Sequence, residues 1–175
     1  VSAVVFDDLQ WVMNPLASSG YQSLSTCVGG AALTDQPPST GPFIDIVANN
    51  TYLWTYHGGA GLIGSGTNQQ ATFIGTTNGI TTAGAAAQNV GGVFNMSFGS
   101  YYGDWDNEDN FLRGLLGSGN VLSHVWSGVP NWFFHPMGMG EPIGHCALRS
   151  MNNTNQDFSL QNGGWQGQSM GRSHM

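Results

Sequence analysis

Apolar positions along this chain fall into short unbroken runs. Residues 1–8 read VSAVVFDD, residues 51–56 TYLWTY, residues 93–98 VFNMSF and residues 121–128 VLSHVWSG. These runs are rich in β-branched and aromatic side chains and lack clean alternation, which is the pattern of strands buried on both faces. The first run turns acidic at its end and presents Asp7 and Asp8. Between the runs, residues 110–117 (NFLRGLLG) place Phe111, Leu112, Leu115 and Leu116 at helical spacing. Asp106 or Asn107 could cap that helix, and Glu108 and Asp109 suit its positive end. A short helix interrupted near Pro15 is expected over 9–20, and another helix after Pro136 or Pro142 within 130–153. FIDIVANN (43–50) suits strand or helix equally. The Gly- and Pro-rich stretch 29–42 reads as a loop, and so does 57–92, with a short helix near 83–89. No internal repeat is present. Strands alternating with helical or loop segments predict one layered α/β domain with a mostly parallel sheet over 1–175. Functional groups in such sheets collect at the carboxyl ends of strands, where Asp7, Asp8, His57 and the residues after Phe98 stand.

Charge narrows the function classes. Only 7% of the 175 residues are charged, there is no lysine, and the net charge is −7. Arg113, Arg149 and Arg172 are too few and too scattered for a nucleic-acid footprint, and an anionic membrane surface is disfavoured for the same reason. No apolar run approaches the ~18 residues of a membrane-spanning helix. Val1 is not a natural start, so the chain is expected to be a piece of a longer protein, accompanied by that protein's other domains. Richness in Gly, Asn, Ser, Thr and Trp suggests an exported bacterial protein, extracellular or at the cell surface. Cys27 and Cys146 are either one disulfide or two buried thiols.

Several residues carry candidate chemistry. In YLWTYHGGAG (52–61), His57 is either a general base at a strand end or a histidine bonded to backbone. Gly58 and Gly59 behind it either form an oxyanion site or make a turn. Asp104, Asp106 and Glu108 follow D-x-D-x-E, alternate hard oxygen ligands suited to Ca²⁺, or else form an acidic capping turn. His124, His135 and His145 lack zinc-ligand spacing. Cys146 follows His145, but adjacent residues rarely face each other, so a core or disulfide role is expected. Trp105, Tyr101 and Tyr102 could present aromatic surface to a protein, a peptide or a glycan. Asn49-Asn50-Thr51, Asn95-Met96-Ser97 and Asn152-Asn153-Thr154 match the glycan-acceptor pattern.

FGSYYGDWDNEDNFLRGLL (98–116), followed by WSGVPNWFFHPMGMGEPIGHCALRSMNN (126–153), resembles a signature of large exported bacterial proteins related to the gingipain-like cysteine peptidases. VVFDD and LWTYHGGAG fit the same order of elements. The resemblance implies a caspase/gingipain-like layered sandwich, continued beyond the last residue by a further strand. It also implies a dyad in which a His ends one strand and a Cys ends the next, the thiolate attacking a peptide carbonyl while imidazole relays the proton. His57 matches the His. The next strand ends Asn95-Met96-Ser97-Phe98-Gly99-Ser100, without cysteine, so Ser97 or Ser100 stands where the nucleophile belongs. The expected function is therefore a degenerate peptidase domain acting as a structural or binding module. The alternative is a cysteine- or serine-type peptidase with His57 as base. The resemblance also implies structural calcium.

Overall fold

A computed structural model describes residues 1–9, 17–63, 71–74, 79–103, 110–126 and 132–152. In chain order the elements are β1 (Ala3–Asp7), α1 (Ser18–Val28), β2 (Leu33–Gln36), α2 (Phe43–Asn49), β3 (Tyr52–Gly58), β4 (Ala60–Ile63), β5 (Ala71–Ile74), β6 (Gly79–Thr81), α3 (Thr82–Ala86), β7 (Gly92–Phe98), α4 (Phe111–Leu116), β8 (Ser123–Trp126) and α5 (Ile143–Met151). A 3₁₀ turn over His135–Met139 precedes α5. Among the described residues, no helix is long and apolar enough to cross a membrane.

The apolar runs become four of the five strands of the larger sheet, with β8 at one edge. β2, β1, β3, β7 and β8 lie side by side in that order, and every neighbouring pair is parallel. Helices cover both faces, as the lack of alternation in the strands requires. On one face Val4 and Phe6 pack with Phe43 and Val47 of α2, Ala85 of α3, and Phe111, Leu112 and Leu115 of α4. On the other, Val5, Trp54, Tyr56, Met96 and Val125 pack with Leu24 of α1, Cys146 of α5 and the segment carrying Trp132 and Phe134. The result is a helix–sheet–helix sandwich, the expected layered α/β class.

Local chemistry explains the helix ends. Asn110 caps α4, its side-chain oxygen accepting from Arg113 N at 2.9 Å, and Thr81 does the same for α3 through Gly84 N at 3.0 Å. The expected caps Asp106 and Asn107 lie outside the described residues, as does most of the helix expected over 9–20. Pro142 opens α5.

Three expectations are corrected or resolved. The stretch 57–92 is not one loop: β4, β5 and β6 form a small antiparallel sheet there, followed by α3. Its strands, AGLI, ATFI and GIT, are short and are set among Gly, Thr, Asn and Gln. The loop 29–42 contains β2, an edge strand whose half-exposed LTDQ lacks the signature of a buried strand. FIDIVANN resolves as helix, with Phe43 and Val47 on its buried side.

Candidate functional site

Register decides which side chains meet. Phe6, His57, Ser97 and Trp126 are aligned across β1, β3, β7 and β8, and so are Val4, Thr55, Asn95 and His124 one pair of residues earlier. Laterally aligned residues share a face, so a polar row runs through the layer covered by α2 and α4. Thr55, His57, Asn95, Ser97 and His124 are all buried. Buried polar groups are stable only when hydrogen-bonded. Thr55 Oγ1 donates to Asn95 Oδ1, whose amide donates to Gly92 O at 3.0 Å.

His57 lies inside β3, with no exposed surface. Its ring stacks on Phe43 at 4.4 Å between centroids and faces Tyr102 at 5.9 Å. Phe6 at 5.7 Å and Phe111 at 5.9 Å also stand beside it. Burial drives its pKa well below the ordinary imidazole value, and neighbouring His124 adds to the effect.

Ser97 is also fully buried, and its Oγ lies 2.7 Å from Nε2 of His124. Nδ1 of His124 faces the carbonyl of Leu112 at 3.3 Å. A carbonyl only accepts, so Nδ1 carries the proton, Nε2 accepts, and the Ser97 hydroxyl donates. This is the polarity of a serine–base pair with an orienting third group. Burial nevertheless holds the His124 pKa down at about 3, outweighing the Leu112 carbonyl, which pulls the other way. Charging that imidazole in place costs on the order of 5 kcal/mol relative to water.

The glycines behind His57 are occupied by packing. Asp8 N donates to Gly58 O and Gly59 N donates to Phe98 O, both at 2.9 Å. That amide is therefore turned into the sheet end. A Cβ on Gly58 would stand 2.9 Å from Asp7 Oδ1, one on Gly99 would meet Gly59 O and the Tyr102 ring at 2.5 Å, and one on Gly61 would overlap the Ser100 carbonyl. The small residues let the end of β3 cross the end of β7 at backbone contact. Ser100 is exposed beyond Gly99. After it, Tyr101 adopts a left-handed φ of 67° and Tyr102 is fully buried against His57, so of this pair only Tyr101 presents surface. At the neighbouring sheet end, Asp7 accepts from Leu9 N at 3.0 Å and is pushed up by burial. A cavity of about 280 Å³ opens there beside Ala17, Ser18 and Tyr21.

Asp104, Trp105, Asp106 and Glu108 lie outside the described residues, and among the described residues no group of three potential metal ligands gathers. Cys27 and Cys146 are both free thiols. Cys27 Sγ donates to Phe134 O at 3.3 Å, and burial raises its pKa to about 11. Cys146 is buried and also raised by burial, while adjacent His145 is exposed.

The structure thus places His57 and Ser97 side by side on adjacent strands but gives Ser97 a different histidine. His124 was legible only as a strand residue with the wrong spacing for zinc. The signal that could have found it is period two: in SHVW, His124 and Trp126 share a face. Comparisons of the chain with protein-family models, with curated proteins and with solved structures found no match.

Proposed function

We propose that the chain is a gingipain-like domain whose catalytic position has been absorbed into the core, serving as a structural or binding module of an exported, cell-surface protein. One observation carries this reading. His57 and Ser97 stand in register on adjacent parallel strands, as the resemblance implies for a dyad, yet neither side chain has exposed surface. A general base must reach both nucleophile and substrate. An imidazole stacked at 4.4 Å on Phe43, with Phe6, Tyr102 and Phe111 around it, acts instead as an aromatic core residue. The partners of such a module are proteins, peptides or glycans, together with the other domains of the parent chain. Asp104, Asp106 and Glu108 would supply oxygen ligands if it carries structural Ca²⁺.

A second reading is favoured by the 2.7 Å Ser97–His124 contact: a serine-type hydrolase that works once Ser97 is uncovered. One experiment separates the two. The folded protein and its Ser97→Ala, His57→Ala and His124→Gln variants are treated with a fluorophosphonate and with a thiol alkylator, and labels are mapped by mass spectrometry. The module reading expects no label on Ser97 or Ser100. Fluorophosphonate on Ser97 that disappears in His124→Gln would replace it with the hydrolase, and dependence on His57 would restore the family's own base.

A further inference from the structure

The amino ends of the strands, opposite His57 and Ser97, carry a different chemistry. A groove of about 360 Å³ lies where α2 ends and where β3, β7 and β8 begin. Asn49, Asn50, Thr51, Asn89 and Asn120 bring carboxamides and a hydroxyl to it from separate segments, and among the described residues no charged side chain lines it.

These groups are held in place. Asn49 Nδ2 donates to Asp45 O at 2.8 Å and Asn50 Nδ2 to Ile46 O at 2.9 Å. Asn120 Nδ2 donates to Asn89 Oδ1. The backbone beneath is pinned as well: Gly91 N donates to Val47 O at 2.7 Å, and Gly91 O accepts from Tyr52 N at 2.8 Å. A side chain on Gly91 would overlap the Asn50 carbonyl, so only glycine allows this approach.

The hydrogen-bonding inventory then names the ligand class. Asn49, Asn50 and Asn120 each spend one of two amide protons on the protein and keep the other as a donor beside the carbonyl oxygen as an acceptor. Asn89 keeps its NH₂ as a donor and one lone pair on its oxygen, and Thr51 can donate or accept. Neighbouring hydroxyls, each a donor and an acceptor, match this mixed set. A phosphate or an ammonium group would find no counter-charge in the lining. Peptide side chains would find only Ala48 and Val93 as apolar contacts. We infer that this groove is a binding site for a neutral saccharide, such as one sugar unit of a glycan. The inference goes beyond the module reading and does not need it, because the groove shares no residue with the His57–Ser97 end of the sheet. For so small and open a site the affinity for a monosaccharide is weak, on the order of millimolar.

The test is a titration of the ¹⁵N-labelled protein, following side-chain carboxamide signals by NMR. The probes are glucose, galactose, mannose and N-acetylglucosamine, their β-linked dimers, and trialanine as the peptide control. At least one sugar is expected to shift the Asn89 and Asn120 carboxamide signals saturably. Asn89→Ala and Asn49→Ala are each expected to weaken that sugar by tenfold or more, with an unchanged backbone spectrum. Carboxamide signals that stay still with every sugar, shifts produced by trialanine alone, or sugar shifts that persist unweakened in both variants would each overturn the inference.

Discussion

Lowering the pH should destabilise this protein through its buried histidines. His124 titrates at about 3 in the folded chain and near 6.5 once unfolded. Its folded pKa is lowered, so the unfolded chain takes up the proton first as pH falls. The stability from keeping this ring neutral is fully present above about pH 6.5 and is lost as pH drops toward the folded value. Between about pH 7.5 and about pH 5 the unfolded chain gains one proton, the folded chain almost none, and the difference integrates to roughly 2 kcal/mol. His57 is displaced in the same direction, by burial first and by His124 second, and steepens the loss. Asp7, raised by burial, acts the other way: its contribution is present at low pH and lost as pH rises above the carboxylate range. Urea unfolding monitored by tryptophan fluorescence at the two pH values measures the total. In His124→Gln, whose carboxamide does not titrate, the pH dependence should shrink by about the same 2 kcal/mol. An unchanged pH dependence in that variant would refute the reasoning, since it would mean that His124 already carries its proton, or reaches water, in the folded state.

Other perturbations test the packing. Gly99→Ala should cost about 1–3 kcal/mol, because the new methyl meets Gly59 O and the Tyr102 ring, and thermal denaturation reads it directly. Asn110→Ala removes the α4 cap and should cost about 1 kcal/mol, while Asn110→Asp should recover most of it in the same denaturation assay. Thr55→Val leaves Asn95 Oδ1 buried without the hydroxyl that Thr55 supplies and should cost about 1–3 kcal/mol in urea titrations. Cys27 and Cys146, both raised by burial, should react slowly with a disulfide reagent at neutral pH and rapidly in denaturant. Equal rates in the two conditions would show that the thiols are exposed.

Four strands of the large sheet were legible because burial on two faces leaves its mark in the residues themselves: VVF, LWTY, FNM and HVW are dominated by β-branched and aromatic side chains. The short α4 was legible for the same reason, through helical spacing of Phe111, Leu112 and Leu115. Elements held by other means were not. α1 is written in serines, and Ser19 and Ser23 are buried only because their hydroxyls donate to the Trp132 carbonyl, at 3.0 and 3.2 Å, from more than a hundred residues away. β2 is a half-exposed edge, and β4 to β6 are three- or four-residue strands set among Gly, Thr, Asn and Gln. The site divides in the same way. Residue types and the strand-end position made His57 and Ser97 candidates. Whether His57 met solvent or Phe43, and which histidine Ser97 would find, depended on the register of β3, β7 and β8. Register is fixed by packing across the whole sheet, so sequence determined which groups had chemistry to offer, and only the tertiary structure decided which of them kept water and which became core.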